Sequence, residues 1–374
     1  MESVRSEVAK RVCLNMIVKN ESAILERCLR AAAPHIDCYV ICDTGSTDNT
    51  VEIIRSFFAG QRIPGEIVTT PFESFEQARN FALDAARASQ LDFDYLLLCD
   101  ADMELVVDRP DFRDELDDSP YFVYQQNVID GVMFTNLRLL PRDLPAAYRG
   151  VTHEYLHIAP AHASIFEAIS FRDYTRGENR PDKFERDVRL LESGLRAEPD
   201  NARYVFYLAN TYLEGGEPAK AIKLYEQRIT MGGFAEEVFY SSYRIGRCLQ
   251  QLGRESEMIE MDLRTFDTFP HRAEPLHALA LFYQRQDRHR LAAMLAETGL
   301  SIHLPEDGLF VESSVYTWRL LDILAVSKYW LGEYREGAEI ARRLLEIVPE
   351  NQLDRIRSNL KFCEDGMQRT EDIL

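Results

Sequence analysis

Tryptophan is scarce, with two in 374 residues, and the seven cysteines (Cys13, Cys28, Cys38, Cys42, Cys99, Cys248, Cys363) form no Cys-x-x-Cys pair. That spacing leaves no zinc-ribbon or thioredoxin-type motif and gives an odd number for a disulfide framework. The cysteines are expected as small apolar filler in a reducing compartment. Basic charge is short as well: 43 Lys and Arg face 62 Asp and Glu, a net charge of −19. So acidic a chain repels phosphate backbones and anionic lipid, which argues against nucleic acid and membrane surfaces as partners. No apolar run approaches the ~18 residues of a spanning helix. Met1 to Lys10 mixes charges of both signs with no secretory apolar core. The expectation is a cytoplasmic chain without a membrane span. A hydrophobic share of 46% against 28% charged residues is that of a folded protein, long enough for two domains. An anionic small molecule can still bind where a local cation or metal reverses the field.

The two halves follow different grammars. Up to about residue 175, short apolar runs alternate with helical patterns. Strands are predicted at Val12–Val18, Cys38–Cys42, Glu66–Thr70 and Tyr95–Cys99, and helices at Ala23–Ala33, from the Thr47–Thr50 cap through Phe58, and at Phe75–Ala88. This alternation indicates β-α-β units and a mainly parallel sheet, whose ligands sit beyond the carboxyl ends of the strands. From about Arg186 the strand signals stop and a helical repeat begins. Tyr212, Tyr283 and Tyr329 are each followed nine positions later by an alanine (Ala221, Ala292, Ala338), and Leu249 to Met258 is a degenerate copy. Leu208-Ala209, Ile245-Gly246 and Leu279-Ala280 lie upstream. This half resembles tetratricopeptide repeats, in which neither helix of a pair buries its apolar face alone and units must stack. The expected domains are 1–175 and 176–374.

The chemistry-bearing residues cluster at the predicted strand ends. Leu97-Leu98-Cys99-Asp100-Ala101-Asp102 delivers two carboxylates at i and i+2, on the same side of a strand. Such oxygens suit Mg²⁺ or Mn²⁺, which would bridge a diphosphate. Asp43, before the Gly45-Ser46 turn, can accept the N3–H of a uracil ring, while Asp48 is read as a helix cap. Lys19-Asn20-Glu21 follows the first strand. Arg79, in Ala78-Arg79-Asn80, is a candidate cation for a base or a phosphate.

As an ordered set, Met16–Glu21, Asp43–Asp48, Ala78–Asn80 and Asp100–Asp102 resemble the motifs of family 2 glycosyltransferases of the GT-A fold, over about the first 105 residues. The resemblance implies a Rossmann-like α/β domain and a nucleotide-sugar donor, a uridine diphosphate sugar foremost. It implies donor contacts from Val18, Asn20, Glu21, Asp43, Arg79, Asp100, Ala101 and Asp102, and Mn²⁺ or Mg²⁺ held chiefly by Asp102. Arg149-Gly150-Val151-Thr152-His153-Glu154 resembles the Gly-x-x-His-Glu element of a subgroup that joins this domain to tetratricopeptide-like helices, a layout shared by bacteriocin S-glycosyltransferases. It implies Glu154 as general base and His153 as a third metal ligand, beside Asp100 and Asp102, or a diphosphate contact. A histidine-containing segment of many relatives is replaced here by Ile169–Tyr174, where Arg172 can substitute electrostatically.

The activity so implied is metal-dependent, inverting, non-processive transfer, of a hexose in the first instance, to a peptide, protein or glycan. Processive synthases of the fold carry membrane helices and a Gln-x-x-Arg-Trp element, whereas both tryptophans here (Trp318, Trp330) lie in the repeats. A nucleotidyltransferase would want a glycine-rich loop after the first strand, and none occurs before Gly45. The remaining rival is a repeat scaffold with an inactive GT-A domain. The helical half is expected to bind an acceptor, a protein partner or a second copy of the chain, with Tyr204, Tyr207, Tyr243 and Tyr283 as candidate lining or as ordinary packing.

Overall fold

The structure, a computed structural model, describes residues 9–128, 133–159, 162–174, 183–305, 308 and 310–371. The chain separates into two compact units, Met1–Gly194 and Leu195–Leu374. The boundary expected at 175/176 lies outside the described residues.

In the first unit the elements run β1 (Val12–Val18), α1 (Leu25–Ala32), β2 (Cys38–Asp43), α2 (Thr50–Gln61), β3 (Gly65–Thr69), α3 (Phe75–Ala88) and β4 (Tyr95–Leu98). Each lies within a few residues of its predicted place. Five further sequence-order strands complete or flank the sheet, β5 (Met103–Val107), β6 (Tyr121–Asn127), β7 (Met133–Pro141), β8 (Ala146–Arg149) and β9 (Tyr155–Ile158), followed by β10 (Ser164–Asp173). Eight of them form one mixed sheet in the order β3-β2-β1-β4-β7-β6-β10-β5, and β8 pairs with β9 separately. The β1, β2, β3 and β4 pairings are parallel, as is β6 with β10; β7 is antiparallel to both β4 and β6, and β5 to β10.

The apolar runs of β1 and β2 are buried because helices cover both faces of the sheet. On one side Leu14, Met16 and Ile41 pack with Leu25, Leu29, Ile54 and Phe58; on the other Cys13, Val40, Leu96 and Leu98 meet Leu83 and Ala86. Phe58 stacks on Tyr39 with ring centroids 4.0 Å apart. A side chain at Gly65 would run into that Tyr39 ring, so β3 begins on a residue with none. All seven cysteines are free and buried.

The helices α4 (Lys183–Ala197), α5 (Ala202–Glu214), α6 (Pro218–Met231), α7 (Ala235–Gln251), α8 (Glu255–Thr268), α9 (Glu274–Arg285), α10 (His289–Leu300), α11 (Leu320–Trp330), α12 (Tyr334–Ile347) and α13 (Leu353–Glu371) follow. Turns of three residues join α5 to α6, α7 to α8, α9 to α10 and α11 to α12, which makes each an antiparallel pair. The residues picked out by the nine-residue spacing, Ala221, Met258, Ala292 and Ala338, are all fully buried. Gly246 sits so close to α8 that a β-carbon there would collide with the carboxylate of the wholly buried Asp262. Tyr204 and Tyr243 are buried in the helix packing, while Tyr207 and Tyr283 are half-buried. Among the described residues no helix is long and apolar enough to cross a membrane.

Candidate active site

The carboxyl ends of β1, β2 and β4 lie side by side, and the loops that leave them are stitched together. Asn20 adopts a left-handed backbone (φ 56°), and its Oδ1 accepts the Thr47 N–H at 2.7 Å. Its own N–H donates to Ser46 Oγ at 3.0 Å, and the next two amides donate to Thr50 Oγ1 and Asp48 Oδ2 at 2.8 and 3.1 Å. The Asp48 carboxyl is held far below the usual carboxylate range by these hydrogen bonds, those of Ser22 foremost, then Thr50. Asp48 thus ties two loops as well as the start of α2. The Asp43 carboxylate accepts the amides of Gly45 and Ser46 at 3.2 Å, an Asx-type turn that Gly45 completes at φ 100°. The Val18 carbonyl is taken by Thr44, whose N–H and hydroxyl donate to it at 2.9 and 3.1 Å.

Helix α3 supplies the centre of the site. Ser74 caps it, accepting the Gln77 N–H at 3.1 Å, and Glu76 and Asn80 on its outer face grip the β8 segment. Asn80 exchanges two hydrogen bonds with the Tyr148 backbone (3.0 and 2.7 Å), and Glu76 accepts the Gly150 N–H at 2.7 Å. Between these anchors Arg79 donates from Nε to Glu154 Oε1 at 2.5 Å and from Nη2 to Asp100 Oδ1 at 2.7 Å. One guanidinium therefore joins the β4 end to the Gly-x-x-His-Glu segment, which lie far apart in sequence. Arg79 also lies over the Tyr148 ring, 5.4 Å from its centroid.

Arg138, on β7, was not anticipated and completes the node. Its Nη2 donates to Asp100 Oδ2 at 3.1 Å and its Nε to Gln125 Oε1 at 3.2 Å, with Asn136 donating to the same Gln125 oxygen at 2.6 Å. Burial alone would raise the Asp100 carboxyl, but Arg79 and Arg138 overcome it and hold the group well below the usual carboxylate range. The only sequence signal for Arg138 was a cation between Leu137 and Leu139, in a region whose strands had not been recognised.

Asp102 occupies the turn after β4, its carbonyl accepting from the Tyr174 N–H at 3.0 Å and from Arg27 Nη2 at 3.3 Å. Arg27 lies on the Tyr174 ring at 3.7 Å, and the Tyr174 hydroxyl donates to Glu104 at 2.6 Å. Ala101, beside it, is buried, and Glu21 is half-buried. Arg172, the proposed substitute for the missing histidine, is exposed and points its charge at Glu104, 3.9 Å away. His153 is exposed with a left-handed backbone (φ 51°).

The predicted metal ligands Asp100, Asp102 and His153 are not gathered into one cage: among the described residues no cluster of three or more His, Cys, Asp or Glu could hold an ion. Asp100 in particular has both oxygens committed to arginine. A Mg²⁺-like ion does not require such a cage, since it can take one protein carboxylate with waters and substrate phosphates. The cavity behind Arg79, lined by Asn15, Met16, Ile17, Arg79, Ala82, Leu98 and Tyr148, is only about 10 Å³. The larger cavity, about 340 Å³, belongs to the helical unit and is lined mainly by apolar groups such as Ala325, Trp330 and Phe362.

Residues 13–174 match the family model for glycosyl transferase family 2. The first unit carries a family 2 glycosyltransferase domain. Glycosyltransferase SunS, from Bacillus subtilis strain 168 and from Bacillus phage SPbeta, is 24% identical over 213 residues, 52% of this chain and 48% of the relative. A TPR repeat-containing protein of Synechococcus elongatus is 35% identical over 108 residues, 29% of this chain and 24% of that protein. The chain thus spans between a quarter and a half of the length of these curated relatives. Among solved structures, MamA (19% identity, TM-score 0.36, 44% of this chain and 83% of the other) and a tetratricopeptide repeat protein from Parabacteroides merdae (16%, 0.38, 51% and 71%) are similar. The helix pairs of the second unit are repeats on their own packing, and the glycosyltransferase domain is the part that presents the Arg79 node.

Proposed function

We propose that the protein transfers a sugar, a hexose in the first instance, from a uridine diphosphate donor to an acceptor nucleophile, with inversion and one transfer per encounter. The observation that supports this reading is the arginine shared between Asp100 and Glu154 at the carboxyl edge of the sheet, next to Asp102. A guanidinium held by two carboxylates is a charged fork already in place; a diphosphate can displace one carboxylate and keep the hydrogen bonds. In the transfer, the bond from the anomeric carbon to the diphosphate oxygen breaks and its electron pair leaves with the diphosphate. The acceptor forms the new bond on the opposite face, and its proton passes to Glu154. Glu154 Oε1 is engaged by Arg79, and Oε2 accepts no hydrogen bond from the described residues, which leaves it to take that proton. Asp102 would hold Mn²⁺ or Mg²⁺, which would supply charge neutralisation for the leaving diphosphate. Asp43 and the Asn20–Glu21 loop form the edge on which the base and ribose would lie.

The seven free, buried cysteines support a reducing, cytoplasmic setting, and the repeats are read as the surface for an acceptor or protein partner. A thermal-shift panel of nucleotide sugars with and without Mn²⁺ tests the reading, since binding to the native state raises Tm with occupancy. A shift confined to uridine diphosphate sugars plus metal is expected; no shift with any nucleotide sugar refutes it. The ion pairs occupying Asp100 and Glu154 favour a second reading, an inactive domain on a repeat scaffold. Slow metal-dependent donor hydrolysis distinguishes a live site from that one.

A further inference from the structure

The guanidinium of Arg79 has two committed nitrogens and an open one. Nε holds Glu154 and Nη2 holds Asp100, while Nη1 makes no hydrogen bond among the described residues. A diphosphate binds an arginine most strongly through two parallel N–H···O bonds. Nη1 and Nη2 are the nitrogens that can offer them together, and Asp100 Oδ1 is the group standing at Nη2. Entry there displaces Asp100 and spares Glu154.

The two carboxylates are not equally able to give Arg79 up. Glu154, its side chain 13% exposed, has Arg79 as its one ion-pair partner among the described residues. Asp100 keeps a second arginine, since Arg138 Nη2 donates to its Oδ2 at 3.1 Å. Arg138 is itself fixed, with Nε on Gln125 Oε1 at 3.2 Å and Nη1 on the Leu98 carbonyl at 3.5 Å. Gln125 is wholly buried, and Asn136 donates to the same oxygen at 2.6 Å. At 8% exposure Arg138 lies beneath the surface a donor can touch, so its effect on the donor passes through Asp100. A buried carboxylate stripped of its one cation costs far more than one that retains another.

We propose that Arg138 is a positioning residue that releases Arg79 to the donor: it holds Asp100 in place while the diphosphate takes Nη1 and Nη2 of Arg79, and Glu154 keeps Nε. Glu154 then stays oriented by the same guanidinium that binds the leaving group. This inference rests on the nucleotide-sugar reading of the site and adds which carboxylate yields and what compensates it.

The test titrates uridine diphosphate into the full chain at a fixed Mn²⁺ concentration, with affinity read by calorimetry. Arg138→Gln leaves Asp100 dependent on Arg79 alone, so the diphosphate competes with a tighter pair and binding is expected to weaken about tenfold. Arg138→Lys keeps the charge without the planar fork and is expected to lose about threefold. Adding Asp100→Asn to Arg138→Gln removes the competing charge and is expected to recover about fivefold, a gain on second substitution that mere structural damage does not produce. In slow donor hydrolysis the loss in Arg138→Gln falls on donor KM rather than on kcat. Far-UV circular dichroism checks that each variant is folded; if Arg138→Gln is not, Arg138→Lys with and without Asp100→Asn decides by the same signs. Equal affinity of wild type and the Arg138 variant, a double variant weaker than the single one, or a loss confined to kcat overturns this inference alone. A wild type that binds no uridine diphosphate refutes the donor reading and this inference with it.

Discussion

Replacing Asp100 by Asn keeps the shape of the side chain and removes the charge that two arginines share. The side chains of Arg79, Arg138 and Asp100 are only 15%, 9% and 22% exposed. Breaking a buried pair by deleting one charge costs ~3–5 kcal/mol, because the partner is left uncompensated. Arg79 retains Glu154 at 2.5 Å, so the lower end, about 3 kcal/mol, is expected. With a urea dependence of ~2 kcal/mol per molar, the midpoint of the first unit falls by about 1.5 M. Far-UV circular dichroism reports both units and tryptophan fluorescence only the second, because Trp318 and Trp330 both lie in Leu195–Leu374, so the transition seen by dichroism alone belongs to the first unit. Glu115→Gln is the control. It breaks the bidentate Arg109 pair (2.8 Å), whose side chains are 47% and 39% exposed, and a pair so screened by solvent contributes little to stability.

The pH dependence has a definite sign. Asp100 is depressed in the folded state, so the unfolded chain binds its proton first and the stabilisation is complete only above the ordinary carboxylate pKa, ~4. It is lost as pH falls below that value towards the folded pKa. The gap between wild type and Asp100→Asn therefore narrows on acidification from pH 5 to pH 3. A midpoint shift no larger than that of Glu115→Gln, or a gap that widens in acid, refutes the charged node.

Four further outcomes are expected. Asp102→Ala abolishes metal-dependent uridine diphosphate binding in a titration while leaving the circular dichroism spectrum unchanged. Glu154→Gln lowers the transfer rate by ~10² to 10⁴-fold with donor affinity retained, read from initial rates and donor titration. Gly246→Ala forces a β-carbon against the Asp262 carboxylate and destabilises the helical unit by ~1–2 kcal/mol, the overpacking cost outweighing alanine's helix propensity, measured by tryptophan-detected urea unfolding. Burial pushes the Asp262 carboxyl up to about 6 against the opposing pull of Arg247. The native state then keeps that proton where the unfolded chain has lost it, so the Asp262 contribution falls by up to ~3 kcal/mol as pH rises from 4 to 6. Subtracting the Asp262→Asn profile from wild type isolates that slope.

The alternation of apolar runs and capped helices up to Cys99 was enough to place β1 to β4 and α1 to α3, because both faces of those strands are buried and leave long uninterrupted apolar signals. The nine-residue Tyr-to-Ala spacing placed the helix pairs for a similar reason: close approach of two helices admits only a small residue, and that demand is visible at Ala221, Ala292 and Ala338. The strands from β5 onward were not legible. β6 buries only alternate residues and β7 buries only its second half, so neither run stands out, and their partners are remote in sequence. For that reason Arg138 was missed, and with it the fact that Asp100 is an ion-pair hub with each oxygen paired to an arginine.

The order of motifs along the chain, Asn20, Asp43, Arg79, Asp100, Asp102 and Glu154, is a property of the sequence, and so is the kind of chemistry their side chains allow. Which carboxylate meets which arginine was decided only by the fold, since α3 lies between two segments that the chain separates by dozens of residues. Charge pairing depends on distance through space, falling off within a few ångströms, and a linear sequence encodes that distance only through the packing it produces.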